Sequence, residues 1–352
     1  MSTHQAAALA EPQPAGEHDY PGPPLPSPRG PISAGLIEAL SRPAPEVPDD
    51  GLAGLARLAR GCDALGEDAQ LALTVCYELH YQGFAGVDPG WEWHLALLGA
   101  RASLESLFLD VLREHVEIED PVLVLEDLCA PPPSTGTVGT FLRDSGTWAQ
   151  MRELFIHRSI YQLKEADPQA WAIPRLTGRP KAALVAVEFD EYGGGQHSRM
   201  HSRLFADLLD AADLDSRYLA YLDLVPAETL ATVNLMSLCG LHRSRLGALV
   251  GMFAAAEISN GPGARVMMDA LERLGAPHAC VHFYREHIEA DAVHEQLMRT
   301  DVVGELLRAR PDLRDDVSFG IGASEFLEER SSARLLGSWE RGRTSLREPG
   351  GL

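Results

Sequence analysis

Apolar residues recur at helical spacing through nearly all of the chain beyond Asp49, and strand-like alternation is sparse. Ala64–Gln82 sets Leu65, Leu71, Leu73, Val75, Cys76 and Leu79 largely along one stripe of a helix. Trp91–Val116 does the same with Leu95, Leu97, Leu98, Leu104, Leu107, Phe108 and Val111. A run of helix breakers, APPPSTGTVGT at Ala130–Thr140, follows. Longer helix-compatible stretches come next, interrupted at Pro168, Pro174, Pro180, Gly193–Gly195, Pro226, Gly261–Gly263 and Pro277. The short apolar run Ala279–Phe283 leads straight into a helical pattern and does not count as a strand. The pattern predicts an all-α protein in two helical parts joined near residue 135.

Residues 1–48 hold 11 of the 24 prolines and few large apolar residues. Such a segment buries too little surface to offset the entropy of ordering, which predicts a disordered Pro-rich tail. The expected organisation is therefore that tail, a helical segment at 49–130, a larger helical domain at 131–340 and a flexible end at 341–352. The 352 residues carry 30 Lys+Arg against 51 Asp+Glu, a formal charge of −21, which argues against nucleic acid or an anionic membrane surface as partner. The longest apolar stretches, such as Leu246–Ala256, are too short to span a bilayer. No Lys or Arg precedes Arg29, and no apolar run of signal-peptide length occurs there. Five scattered cysteines without a CxxC pair fit a reducing compartment, so a cytoplasmic location is expected.

The letters contain no GxSxG, HExxH, Walker loop or GxGxxG. The chemistry-bearing residues instead cluster on helical patterns. In FYREHIEADAVHEQL, His287, Asp291 and His294 stand at i, i+4 and i+7, on one helical face. Two imidazoles and a carboxylate on one face suit iron, manganese or zinc; a solvated polar face is the alternative. In VEFDEYGGGQHSRMHSRLF, Glu188, Asp190, Glu191, His197 and His201 flank a glycine run. A bend there lets a carboxylate before the glycines meet an imidazole after them, whereas ten residues of straight helix leave Glu191 and His201 ~80° apart. Glu257 follows six small or apolar residues, so it needs either a metal or an arginine partner such as Arg243 or Arg245. Glu165 precedes Asp167 and Pro168, where the alternative is a helix-end role. Carboxylates and histidines spread over several helices of one bundle are what a two-iron site requires.

Four segments, HRSIYQLKEADPQAWAIPRL, EFDEYGGGQHSRMHSRLF, YLDLVPAETLATVNLMSLCGLHRSRLGALVGMFAAAEIS and FYREHIEADAVHE, resemble the haem-oxygenase-like di-iron oxidases, the iron-containing redox enzymes. The likeness covers about residues 140–310. It implies a seven-helix haem-oxygenase-like bundle with a non-haem di-iron site in place of haem. By this resemblance Glu165, Glu191, His201, His287, Asp291 and His294 are metal ligands, with Glu191 bridging, and Glu257 matches an additional glutamate of N-oxygenating members. Glu188 and His197 lie one turn away from Glu191 and His201 as substitutes. Residues 50–130 resemble an extra helical segment that serves dimerisation in some relatives.

The resemblance further implies two iron ions, O2 as co-substrate and an external electron donor such as a reductase or ferredoxin-like protein. The expected reaction is N-oxygenation of an amine, amino acid or guanidine through a peroxo-diferric intermediate. Oxidative C–C cleavage or desaturation of an aliphatic acid or amino acid is the alternative, and a non-catalytic iron-binding bundle is a third. Tyr161, Tyr192 and Tyr284 are candidate donors around the ligands, and Arg175 or Arg243 a candidate clamp for a substrate carboxylate.

Overall fold

The computed structural model describes residues 22–45, 54, 57–59, 61–130 and 133–347, with the backbone alone at 289–292. The described residues are helical and contain no strand. The N-terminal part comprises Pro31–Leu40 (α1), Glu67–Glu78 (α2), Leu95–His115 (α3) and Pro121–Leu128 (α4). Then come Val138–Asp144 (α5), Trp148–Gln162 (α6), Gly178–Glu191 (α7), His201–Ala211 (α8) and Ala227–Leu241 (α9). The chain closes with Leu246–Leu274 (α10), His278–Gln296 (α11), Glu305–Ala309 (α12) and Arg314–Glu340 (α13). None of these helices is long and apolar enough to cross a membrane.

Local signals set most of these boundaries. Thr137 and Thr147 each open a helix through a reciprocal capping box, with Thr140 and Gln150 as partners. Pro226 and Pro277 stand at the N-caps of α9 and α11, and Gly275 ends α10 in the left-handed conformation (φ 65°). The expected break at Gly261–Gly263 does not occur: α10 runs unbroken through Pro262. The packing of α10 as a whole against α11 and α13 overrides local propensity. Where α10 crosses α13, glycine is required on both helices. A Cβ at Gly251 would collide with the Val317 carbonyl, and one at Gly320 with the Ala248 carbonyl.

Three expectations about organisation change. First, part of the segment read as a disordered tail is ordered: α1 buries Ile32, Leu36 and Leu40 in the core. Its entry is fixed by Asp68, whose carboxylate accepts from the backbone N–H groups of Ile32 (2.9 Å) and Ser33 (2.7 Å). Residues 1–21 and 46–48 of that segment lie outside the described residues. Second, one continuous core joins Leu71, Phe108 and Leu125 to Leu235, Phe253 and Leu327, so the described helices before and after residues 130–140 share a core rather than forming two separate parts. Helix α2 is buried nearly all round rather than along a stripe, while Leu95 of the second stripe is exposed (74%). Third, residues 341–347 are part of the fold. Glu153 draws in the chain end by accepting from Ser345 N (2.8 Å), Ser345 Oγ (2.7 Å) and Trp339 Nε1 (2.8 Å).

Candidate metal centre

Four helices and one turn converge on a buried polar cluster inside this otherwise apolar core. Glu165 comes from the turn after α6, Glu191 from the last residue of α7 and His201 from the first residue of α8. Glu257 comes from the middle of α10, and His287 and His294 from α11. Each of these six residues is at most 6% exposed. Their ligand atoms form two groups, Glu165–His201–His287 and Glu191–Glu257–His294, and within each group all lie within 4.8 Å of one another. Asp291 stands on α11 one turn beyond His287, and its side chain lies outside the described residues.

The glycine run provides the bend that brings Glu191 and His201 together. Gly193, Gly194 and Gly195 all have left-handed φ values, 65°, 63° and 79°. A Cβ on Gly193 would lie 2.5 Å from the Met200 nitrogen, so only glycine lets the chain fold back so tightly. As a result Glu191 Oε2 sits 2.7 Å from His201 Nδ1, while Oε1 of the same carboxylate sits 3.5 Å from His294 Nδ1. One carboxylate thus faces an imidazole of each group.

Further hydrogen bonds fix which ring nitrogen looks inward. His287 Nδ1 donates to the Phe283 carbonyl at 2.8 Å, leaving Nε2 turned toward Glu165 Oε2 at 3.8 Å. His294 Nε2 lies 3.3 Å from Asp190 Oδ2, leaving Nδ1 toward Glu257 Oε2 at 2.8 Å. An imidazole whose outer N–H is held by a carbonyl or carboxylate is oriented and made more basic as a ligand. Despite burial, His201 Nδ1 and His287 Nε2 have no hydrogen-bond partner, nor has either oxygen of Glu188. Orphaned buried polar atoms are costly, and a bound cation would satisfy the imidazoles. The mixed nitrogen and oxygen donor set suits iron.

The electrostatics carry the same message. Burial and the nearby Glu165 raise the Glu191 carboxyl; burial and Glu191 raise Glu257. Glu188 is pushed up to about 9 by burial and by Glu191 and Glu257. Burial and the adjacent His287 lower His201 to about 4. Against their own burial, Glu165 and Glu191 hold His287 up at about 10, and Glu257 and Glu191 hold His294 up at about 9. Too many carboxylates share too little countercharge, the condition that a divalent cation in each group would relieve.

Several sequence expectations change at this level. Glu257 pairs with His294 and not with an arginine; Arg245 instead meets Asp316 at 3.4 Å. Glu188 and the exposed His197 belong to neither group. Tyr192 donates to Asp167 Oδ1 at 2.8 Å and Tyr161 accepts from Gln169 at 2.9 Å, so neither hydroxyl engages a candidate ligand. The sequence places Asp190 beside Glu191 but carries no sign that it partners His294, which lies 104 residues on. Arg158 escapes sequence reasoning altogether, because an arginine at one helical position carries no motif.

Arg158 lines a cavity of about 280 Å³ that reaches His287 and includes Gln162, Phe205, Phe283, Tyr284 and Glu328. Its Nη2 lies 2.6 Å from Glu328 Oε1. Arg175 and Arg243, the clamps expected from sequence, are not among the lining residues; Arg175 donates to the Leu241 carbonyl. On the other side of the cluster a recess of about 440 Å³ is bordered by His201, Asp190, Arg199 and the glycine turn.

Comparison with known proteins agrees with this architecture. The chain is 25% identical over 150 residues to the nitrosourea synthase of Streptomyces achromogenes subsp. streptozoticus, a match covering 43% of this chain and 32% of that protein. The chain therefore spans only about a third of that relative's length. Residues 152–329, half of the chain, match the iron-containing redox enzyme family and take in all the candidate ligands. With an all-α fold of the haem-oxygenase-like kind and a buried histidine–carboxylate cluster in the matched region, the chain belongs to the iron-containing redox enzyme family.

Proposed function

We propose that the protein is a non-haem di-iron, O2-dependent oxygenase that oxidises a nitrogen of an amine, amino acid or guanidine. The observation that carries this reading is Glu191, whose two oxygens each face a histidine of a different three-residue group. A carboxylate so placed can bridge two cations and offset their mutual repulsion. Glu165, His201 and His287 would hold one iron, and Glu191, Glu257 and His294 the other, with Asp291 as the seventh ligand. The irons supply O2 activation when bound. N-oxygenation places one oxygen atom on the substrate nitrogen and reduces the other to water, with two electrons and two protons from outside.

This chain's own residues set the conditions for that chemistry. Asp190 and the Phe283 carbonyl hold His294 and His287 in their tautomers and orientations. Burial of the cluster excludes water. The Arg158–Glu328 pair gives the cavity beside His287 one cationic and one anionic group, which favours a charged nitrogenous substrate over a lipid. Phe205, Phe283 and Met267 on the same wall would accommodate an aliphatic portion, and they keep C–C cleavage or desaturation of an amino acid as the second reading. A nitrosourea contains an oxidised nitrogen, so the relative's product is consistent with the first. Electrons are proposed to come from a reductase or ferredoxin-like donor. A homodimer formed through the N-terminal part is proposed from the resemblance of residues 50–130 to the dimerisation segment of some relatives.

The test is product analysis. Iron-loaded protein with reductant and O2 is offered amines, amino acids with side-chain nitrogen, and fatty acids. A product heavier by one oxygen on nitrogen supports the reading; turnover of fatty acids alone overturns it.

A further inference from the structure

Glu165 is the one candidate ligand that comes from a turn rather than a helix. Residues 163–167 form that turn, closed by Lys164 N on the Tyr161 carbonyl and Asp167 N on the Lys164 carbonyl, each at 2.8 Å. These bonds, with the Gln162 amide that donates to Glu165 Oε1 at 2.8 Å, shape the turn locally, but all lie within a few residues and none fixes how the turn as a whole is aimed at His287.

The neighbouring residue shows what does. Lys164 is 4% exposed, and its ammonium meets Glu78 Oε2 at 3.0 Å. Glu78 is wholly buried at the end of α2, in the N-terminal part, 86 residues away and outside the segment that matches the family. Its other oxygen accepts from Tyr218 OH at 2.7 Å. The ammonium also stands 4.3 Å from the centre of the Tyr81 ring, and the Tyr81 hydroxyl is tied to Ser237 at 3.1 Å. Three residues on, Asp167 accepts from Tyr192, which directly follows Glu191. The turn is thus gripped on one side by the N-terminal helix and on the other by the end of the helix that carries Glu191.

A buried ion pair is weak evidence for stability, because desolvation opposes the attraction, and its best-attested use is to specify one arrangement among several. We propose that Glu78 and Lys164 are a positioning pair for the metal centre: by holding Lys164, the N-terminal helix sets the direction of Glu165 in the group it forms with His201 and His287. This rests on the di-iron reading. Helix α2 is then a working part of the centre, distinct from any role in dimerisation, and neither residue touches metal or substrate.

The experiment is anaerobic Fe(II) titration of the metal-stripped full-length protein, with a competing chelator resolving two stepwise affinities. Removing one partner leaves the other charge buried and unpaired, so the main variant is the double one, Glu78→Gln with Lys164→Met. It is expected to keep the wild-type helical signal and one wild-type affinity, and to weaken the other at least tenfold. The effect should disappear when the double variant is combined with His287→Ala, which already removes that site, and should fall on the single remaining site, again at least tenfold, when combined with His294→Ala. Tyr218→Phe, a milder change that loosens Glu78 without stranding a charge, is expected to weaken the same single affinity by about threefold. Both affinities unchanged in the folded double variant or in Tyr218→Phe, or both falling in parallel with the melting temperature, would overturn the proposal. Failure of the wild-type protein to bind two irons would instead overturn the di-iron reading beneath it.

Discussion

His201 Nδ1 lies 2.7 Å from Glu191 Oε2 yet forms no hydrogen bond with it. Two groups this close and buried are brought together across three left-handed glycines, a conformation the chain adopts only because no side chain stands at Gly193. The contact makes sense as two donors aimed at a shared cation, and it separates Glu191 from Glu188, which is equally buried but belongs to neither group.

That separation is measurable. Glu191→Gln is expected to lose at least one iron per chain, because the amide can no longer balance a cation on each side. Glu188→Gln should retain both, since it replaces a carboxyl already held up at about 9 by burial with a neutral group of the same shape. Iron content by metal analysis after anaerobic reconstitution reads the difference.

Substrate recognition is expected to depend on the charged pair in the cavity. Arg158→Gln and Glu328→Gln should each raise KM for a charged substrate about tenfold or more while leaving iron content unchanged and kcat within about threefold. Steady-state O2 consumption gives both parameters. A fall in kcat with KM unaltered would place the pair outside substrate binding.

Stability should vary with pH through His157. Thr229 and Ser345 enclose this imidazole at 2.6 and 3.0 Å, and burial lowers it from 6.5 to about 4. Folding therefore excludes a proton that the unfolded chain accepts below pH 6.5. The contribution is fully present above pH 6.5 and is lost as pH falls toward about 4. A shift of this size corresponds to roughly 3 kcal/mol. Urea unfolding across that window should show a steeper acid loss for wild type than for His157→Gln.

The α10–α13 crossing offers a packing test. Gly320→Ala gains about 1 kcal/mol of helix propensity, but its methyl meets the Ala248 backbone carbonyl, which cannot swing aside as a side chain would. A net loss of about 1–2 kcal/mol in chemical denaturation is expected.

Much of the fold and of the candidate site is legible in the amino-acid letters. The helical period sets the fold class, and the spacing of His287 and His294 with the glycine break points to most of the buried cluster, because both depend on short stretches of sequence. The features that escape a reading of the letters depend on contacts between distant elements. Pro262 reads as a break, yet α10, packed as a whole against α11 and α13, runs through it. Pro31–Leu40 reads as tail, yet Asp68, far along the chain, caps and buries it. Arg158 with Glu328, and Glu78 with Lys164, pair across 170 and 86 residues, and no local pattern encodes such separations.

Six buried side chains in two groups, together with Asp291, are proposed to hold two irons. The decisive measurement is anaerobic Fe(II) titration of the metal-free protein, followed by Mössbauer spectroscopy after O2 is admitted. Two irons per chain are expected, oxidising as a magnetically coupled pair, with the coupling lost in His287→Ala and in Glu191→Ala. Binding of a single iron, or two uncoupled irons indifferent to both substitutions, would contradict a di-iron centre.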